Sequence, residues 1–333
     1  MTHNITALVS SSSSGLSAPL SANLRRKVKY YVDREKSPAT LRAYRTAWNQ
    51  FVGWTKKKGF TPLPSSPEVM SAYFAELADK GAKVSTIMVA LAAIRFFHKR
   101  HNVTDETHHV LVEATLAGIR RDKHVKPEKK AAIEAPLLKK LLNVIPNTIA
   151  GRRDRLIFRM MYMGAFRRSE LTALNVSDIE IDKKEMHITV RASKTDPDGK
   201  GFVKHIAVDD EISHRLVKDY RAWLKEAKIT KGAIFRRVLR WGVVSDRRLS
   251  PQSIALLVKQ YARKAKIKAS NLSGHSFRSG FITSALKAGA KEGDIMDITG
   301  HKNFAIVRGY NRNATPGARR AVKSALSKMD EEE

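Results

Sequence analysis

Cysteine is absent from the 333 residues. That excludes disulfide scaffolds, Cys-ligated zinc, iron–sulfur clusters and thiol nucleophiles, and it fits either redox compartment. No apolar run approaches the roughly 18–20 residues of a membrane span, so a soluble chain without membrane contact is expected. Acidic residues are scarce: 32 Asp and Glu stand against 62 Lys and Arg, a net charge of +30. A charge of that size repels itself unless a polyanion neutralises it, which makes nucleic acid the first expected partner. The 42% hydrophobic content suffices for a core and excludes a merely disordered basic tail. Charge alone does not separate an enzyme from a protein that coats nucleic acid.

Residues 1–22 hold no Lys, Arg, Asp or Glu. They lack the positive and long apolar regions of a secretory signal and read as a disordered Ser-rich tail. From 23 to 122 the pattern is helical. Leu41, Tyr44, Trp48, Phe51, Val52 and Trp54 make one apolar stripe, opened by Ser37-Pro38 as cap and first turn and closed at Gly59. Further helices are expected over 68–79, 85–101 and 107–121, giving an all-α domain. Residues 123–135, charged and carrying Pro127, read as a basic, exposed interdomain linker. The segment 136–333 is mixed. Helices are expected at 136–145 and 151–163, and another starts near Arg167. Strand-like alternation runs through 177–208, and six more helices follow, the last over 316–329. The fold class expected is mostly α with a small antiparallel sheet: an all-α N-terminal domain and an α+β C-terminal domain.

Four short stretches carry chemistry. Arg167 and Glu170 are three apart in AFRRSEL, so on a helix they share a face and the carboxylate holds the guanidinium; a surface ion pair is the plainer reading. Lys194 stands in Ser193-Lys194-Thr195 at a hairpin, where a lysine is usually only an edge charge. His275 and Arg278 project together from a helix N-terminus, where the dipole favours an anion. Gly300-His301 is followed nine residues on by Tyr310, which alone reads as a core or interface residue.

In chain order, Arg167, Lys194, His275, Arg278, His301 and Tyr310 are separated by 27, 81, 3, 23 and 9. With AFRRSEL, SGHSFRSG and IMDITGHKNFAIVRGYNRN, this constellation resembles the tyrosine recombinases of the phage-integrase type. SPATLRAYRTAWNQFVGWTKKKG, continued to about 121, resembles the core-binding domain of the Cre-type members, so the likeness covers about 23–328. Two positions depart from the family pattern. Arg168 stands where an apolar residue is usual, and His301 matches most members whereas Cre has Trp there.

The resemblance implies a site-specific recombinase whose two domains form a C-shaped clamp on duplex DNA. Tyr310 would attack a phosphodiester and form a 3′-phosphotyrosyl link, with exchange proceeding through a Holliday junction. Preorganised cations suit a transition state that gains charge; Arg167 and Arg278 would each offer a planar fork to the phosphate. His275 and His301 would complete the donor set, His275 as base, Glu170 would support Arg167, and Lys194 would protonate the leaving oxygen. No cofactor, metal or ATP is expected, since the phosphotyrosine keeps the bond energy. The implied partners are double-stranded DNA with inverted-repeat sites and further copies of the chain, a dimer on each site and a tetramer in synapsis, with the 316–329 helix docking in trans. A cytoplasmic, nucleoid-associated location is expected.

Thr40, Arg42, Arg45 and Ser85 in the first domain, and Gln252 and Lys259 in the second, are candidates for DNA contacts, most of them to phosphates. His98-x-x-His101 and His108-His109 read as solvated helix residues. A type IB topoisomerase would use a similar residue set but relax DNA as a monomer. A silent DNA-binding protein would be expected to have lost one of the six residues.

Overall fold

The computed structural model describes residues 20–123, 131–191, 193 and 201–310. The chain forms two compact units, Met1–Pro127 and Glu128–Glu333. The first is all-helical: α1 (Ala22–Val32), α2 (Pro38–Lys58), α3 (Pro67–Asp79), α4 (Val84–Arg100) and α5 (Val110–Asp122). The start and stop of α2 follow from local chemistry. The Ser37 hydroxyl accepts from the Thr40 amide, Pro38 occupies the first turn, and Gly59 ends the helix at φ +75. Trp48, Phe51, Tyr73, Phe74, Ile87, Leu91 and Ile94 close the core between α2, α3 and α4. Helix α1 begins at Ala22 under a Ser21 cap, so order reaches back into the stretch read as a tail.

His98 corrects its expected solvation. It is fully buried, its Nδ1–H donates to the Ile94 carbonyl and its Nε2 accepts from the Ser65 amide at 3.0 Å. Both nitrogens are satisfied, so a neutral imidazole fits the core. Burial lowers its pKa accordingly.

In the second unit, α6 (Ala135–Asn143), α7 (Ile149–Met163) and α8 (Arg168–Ala173) precede a three-stranded antiparallel sheet, β1 (Ile179–Ile181), β2 (Glu185–Val190) and β3 (Phe202–Ala207), ordered β1-β2-β3. Even-numbered residues of β2 and β3 point inward, with Met186, Ile188, Val190, Lys204 and Ile206 buried. Then come α9 (Glu211–Glu226), β4 (Arg236–Val238), β5 (Val244–Arg248), α10 (Pro251–Lys264), α11 (Gly274–Lys287), α12 (Glu292–Thr299) and α13 (Phe304–Arg308). The β4–β5 ribbon is a second sheet beside the one expected. Its strands are short and arginine-rich, without the apolar alternation that announces a strand.

The segment read as exposed linker up to 135 ends inside this unit. The Ala131 amide donates to the Asn271 carbonyl, Ile133 donates to Ser276 at 2.8 Å, and Ile133 is fully buried. The strap lies so close to α11 that a Cβ on Gly280 would sit 1.8 Å from the Ile133 carbonyl oxygen. Gly280→Ala must therefore displace backbone rather than a flexible side chain. The expected cost is about 3 kcal/mol or more, seen as a drop of roughly 6–12 °C in the melting temperature of this unit. An unchanged melt would refute the tight approach.

Candidate active site

Helices α8, α11 and α12, the Ala165–Arg167 turn and the end of α13 bring their polar side chains to one locus. Arg167 sits at the N-cap of α8 in an extended conformation, φ −73 and ψ 148, and not within the helix as its spacing to Glu170 suggested. The pairing holds through a different geometry. The Arg167 amide donates to Glu170 Oε2 at 2.9 Å and its Nη1 to Oε1 at 2.6 Å. Ser193 lies between them, its hydroxyl 2.7 Å from both Arg167 Nη1 and Glu170 Oε1. Glu170 is buried. Burial alone would raise its pKa, but the hydrogen bonds from Arg167 and Ser193 outweigh that and keep the carboxyl below its ordinary value. A charged pair with shared hydrogen bonds holds the guanidinium in place far better than a solvated surface pair would.

Arg278, in the first turns of α11, is 1% exposed. Its Nη1 donates to the Ala165 carbonyl at 2.9 Å, and its Nη2 donates to the Thr299 carbonyl and, at 3.0 Å, to His301 Nε2. Burial, then the nearby Arg167, lowers its pKa to about 10, so the guanidinium stays charged at neutral pH. Ala165 reaches Arg278 through a left-handed turn at φ 45.

His301 follows Gly300, which ends α12 at φ +66. The Thr299 hydroxyl donates to the Ile295 carbonyl at 2.7 Å and so accepts from His301 Nδ1–H at 2.9 Å. With Nε2 accepting from Arg278, His301 is the neutral Nδ1–H tautomer, and burial with the adjacent Arg278 pulls its pKa down to about 4. Both ring nitrogens are thus engaged. The ring positions Arg278 and presents no spare N–H to a phosphate.

His275, second residue of α11, lies 2.9 Å from the Tyr310 hydroxyl through Nε2. Burial, Arg278 and Arg167, in that order, lower its pKa, so the imidazole is neutral at pH 7 and can accept the phenolic proton. The Tyr310 ring joins the Ile282, Ile295 and Val307 cluster, which fixes its direction without using its hydroxyl.

Five of the six residues singled out by spacing therefore meet here. Lys194 lies outside the described residues, as does the 316–329 helix. Arg168, the departure from the family pattern, has a structural explanation. Its methylenes cover Gly274, where an added Cβ would meet its Cδ and Cγ at 2.4 Å, so the stem packs on the start of α11.

Lys204 was not anticipated. It is fully buried on β3. Its Nζ donates to the Ile298 carbonyl at the end of α12 and lies 4.9 and 5.0 Å from the Phe166 and Phe202 ring centroids. Burial pulls its pKa down to about 7, the Glu170 charge opposing. Lys204 and Arg278 hold the successive carbonyls of Ile298 and Thr299, and with them the turn that aims His301. The available signal was strand parity, since position 204 shares the inward face with Ile206 and Val208.

The DNA-contact candidates are accessible with one exception. Arg42 and Arg45 are exposed on α2, Ser85 on α4, and Gln252 and Lys259 on α10. Thr40 is half-buried, and its hydroxyl is committed to Ser37 at 2.9 Å.

Comparison with known proteins gives the family. Residues 133–316 match the phage integrase family, and 28–100 match the phage integrase N-terminal SAM-like domain. The chain belongs to the tyrosine recombinases. An integrase/recombinase xerD homolog of Selenomonas ruminantium is 32% identical over 294 residues, covering 86% of this chain and 85% of the relative. The tyrosine recombinase XerA of Pyrococcus furiosus is 26% identical, covering 89% and 91%. Among solved structures, the Tn1549 transposon integrase in complex with transposon right-end DNA shares the fold at TM-score 0.59 and 16% identity, covering 90% of this chain and 98% of that one. This recombinase thus carries the family's helical N-terminal region and its catalytic unit with a small sheet. Its general activity is site-specific DNA recombination.

Proposed function

We propose that this recombinase cleaves and rejoins DNA through a covalent bond between Tyr310 and a 3′-phosphate. The observation that carries the reading is the 2.9 Å contact between His275 Nε2 and the Tyr310 hydroxyl, with two arginines beside it. The Tyr310 oxygen attacks phosphorus and its proton passes to His275 Nε2. The bond from phosphorus to the 5′-oxygen breaks, and that oxygen takes a proton from Lys194. A free phenol is ionised only to roughly one part in a thousand at neutral pH, which is why the adjacent base matters. Arg167, steadied by Glu170 and Ser193, and Arg278, steadied by His301, supply positive charge as the phosphorane forms. The bond energy stays in the phosphotyrosine, so religation to a second strand needs no ATP.

On this reading, the 23–122 helical unit and the 136–333 catalytic unit bind double-stranded DNA bearing inverted-repeat sites. Two protomers occupy each site and four make the synapse, with exchange through a Holliday junction. The exposed Arg42, Arg45, Gln252 and Lys259 face the duplex, and most of the +30 charge grips phosphates, so affinity falls steeply with salt. The workplace is the cytoplasm, on the nucleoid.

The test is a nicked substrate from which the cleaved end diffuses away, trapping the adduct. Peptide mapping is expected to place the DNA on Tyr310; attachment at another residue would overturn the assignment. The same assay carries a pH signature. His275 accepts a proton only when neutral, and its folded pKa lies below the ordinary 6.5. The acidic limb of cleavage is therefore expected to have its midpoint below pH 6.5. A midpoint above pH 7 would argue against His275 as base.

A further inference from the structure

We propose that Glu185, His187 and His205 form a binding site for a zinc-class divalent cation on the outer face of the sheet, oriented by Asp182 and separate from the recombination chemistry. His187 and His205 are direct cross-strand partners of β2 and β3, and Glu185 lies two residues from His187 on the same outward face. Their Nδ1 atoms are 3.1 Å apart. Glu185 Oε2 is 3.1 Å from His205 Nδ1 and 3.7 Å from His187 Nδ1. A tetrahedral zinc with bonds of about 2.0–2.1 Å needs ligand atoms about 3.3–3.4 Å apart, so this triangle matches one face of the tetrahedron. The fourth position opens to solvent and takes water.

The orientation of the donors supports the same reading. Asp182 Oδ2 accepts from His187 Nε2 at 3.0 Å. That bond keeps the proton on Nε2 and leaves a lone pair on Nδ1, the carboxylate–histidine pairing found behind zinc ligands. Asp182 is itself held by amide donors, Lys184 and Glu185, both at 2.7 Å to Oδ1. Two imidazoles with one carboxylate select zinc-like ions over magnesium or calcium, which prefer all-oxygen shells. Without a cation, two nitrogens that are both acceptors when ligating must share a proton at 3.1 Å; an ion replaces that bond with two stronger ones.

No local pattern announces the site. Its histidines are eighteen residues apart and meet only through the antiparallel register of β2 and β3.

The experiment titrates the tag-free full-length chain with Co²⁺ as a spectroscopic probe and Zn²⁺ in competition, with no DNA present. One equivalent of Co²⁺ is expected to give the visible absorption of a tetrahedral ion and to raise the melting temperature. His187→Gln and His205→Gln are expected to weaken binding at least 100-fold, Asp182→Asn about 10–100-fold, and His214→Gln, at an exposed position of α9, not at all. Binding that survives in the His187→Gln/His205→Gln double variant, or no stoichiometric binding in the wild type, would overturn the proposal. Should the variants fold poorly, wild-type crystals grown with one equivalent of zinc decide it by anomalous scattering. A peak between His187 and His205 supports the site, and a peak elsewhere or none refutes it.

Discussion

Replacing Tyr310 with phenylalanine is expected to abolish the covalent DNA adduct and lower strand cleavage by at least about 10⁴-fold, the scale on which loss of a nucleophile acts. The physical argument separates chemistry from binding. Only an oxygen is lost, and the ring keeps its packing against Ile282, Ile295 and Val307. His275 keeps part of its surface open to solvent although neighbouring groups partly desolvate its ring, so water replaces the lost hydroxyl at its Nε2. Affinity for a cognate site, compared at one fixed salt concentration, is therefore expected to stay within about twofold, because phosphate contacts spread over a +30 chain dominate it. An adduct that forms at the wild-type rate in Tyr310→Phe would remove Tyr310 from the mechanism.

Arg278→Ala has the second large effect, and it acts on two levels. Structurally, the substitution strands the carbonyls of Ala165 and Thr299 in a buried site, each at a cost of about 1–3 kcal/mol. It also leaves His301 Nε2 without its donor. A loss of about 3–5 kcal/mol in unfolding free energy is expected from denaturant melts. Chemically, removing a charged donor from the developing phosphorane is expected to slow cleavage by about 10²–10³-fold or more. Arg278→Lys separates the two levels. A lysine restores charge but cannot span both carbonyls as a planar fork does, so stability should recover in part while cleavage stays low. Near-wild-type cleavage in Arg278→Ala would show that the fork is only structural.

Much of the helical frame was legible because its signals are local. Ser37-Pro38 and Gly59 bound α2 through chemistry completed within a few residues, and the period of Trp48 and Phe51 marks its buried side. The two strands with clean alternation, β2 and β3, were equally plain. The β4–β5 ribbon was not, because Arg236, Arg237, Arg247 and Arg248 leave no apolar face to read. His98 misled for a related reason: an imidazole whose two nitrogens find partners is as buriable as an apolar residue, and one partner, Ser65, lies 33 residues away.

Lack of cysteine excludes thiolate-bound zinc but says nothing of imidazole and carboxylate donors, which the sheet brings together. By itself the sequence determined the family, the charge toward DNA, and which residue types stand at which spacing, because motif identity and composition are properties of the chain alone. Only the tertiary structure decided what each side chain touches. It set Arg167 at a cap with Ser193, turned His301 into the anchor of Arg278, buried Lys204 beneath the same turn, and placed His187 opposite His205. Each of those outcomes depends on contacts between segments distant in sequence, whose meeting is set by packing and strand register rather than by local preference.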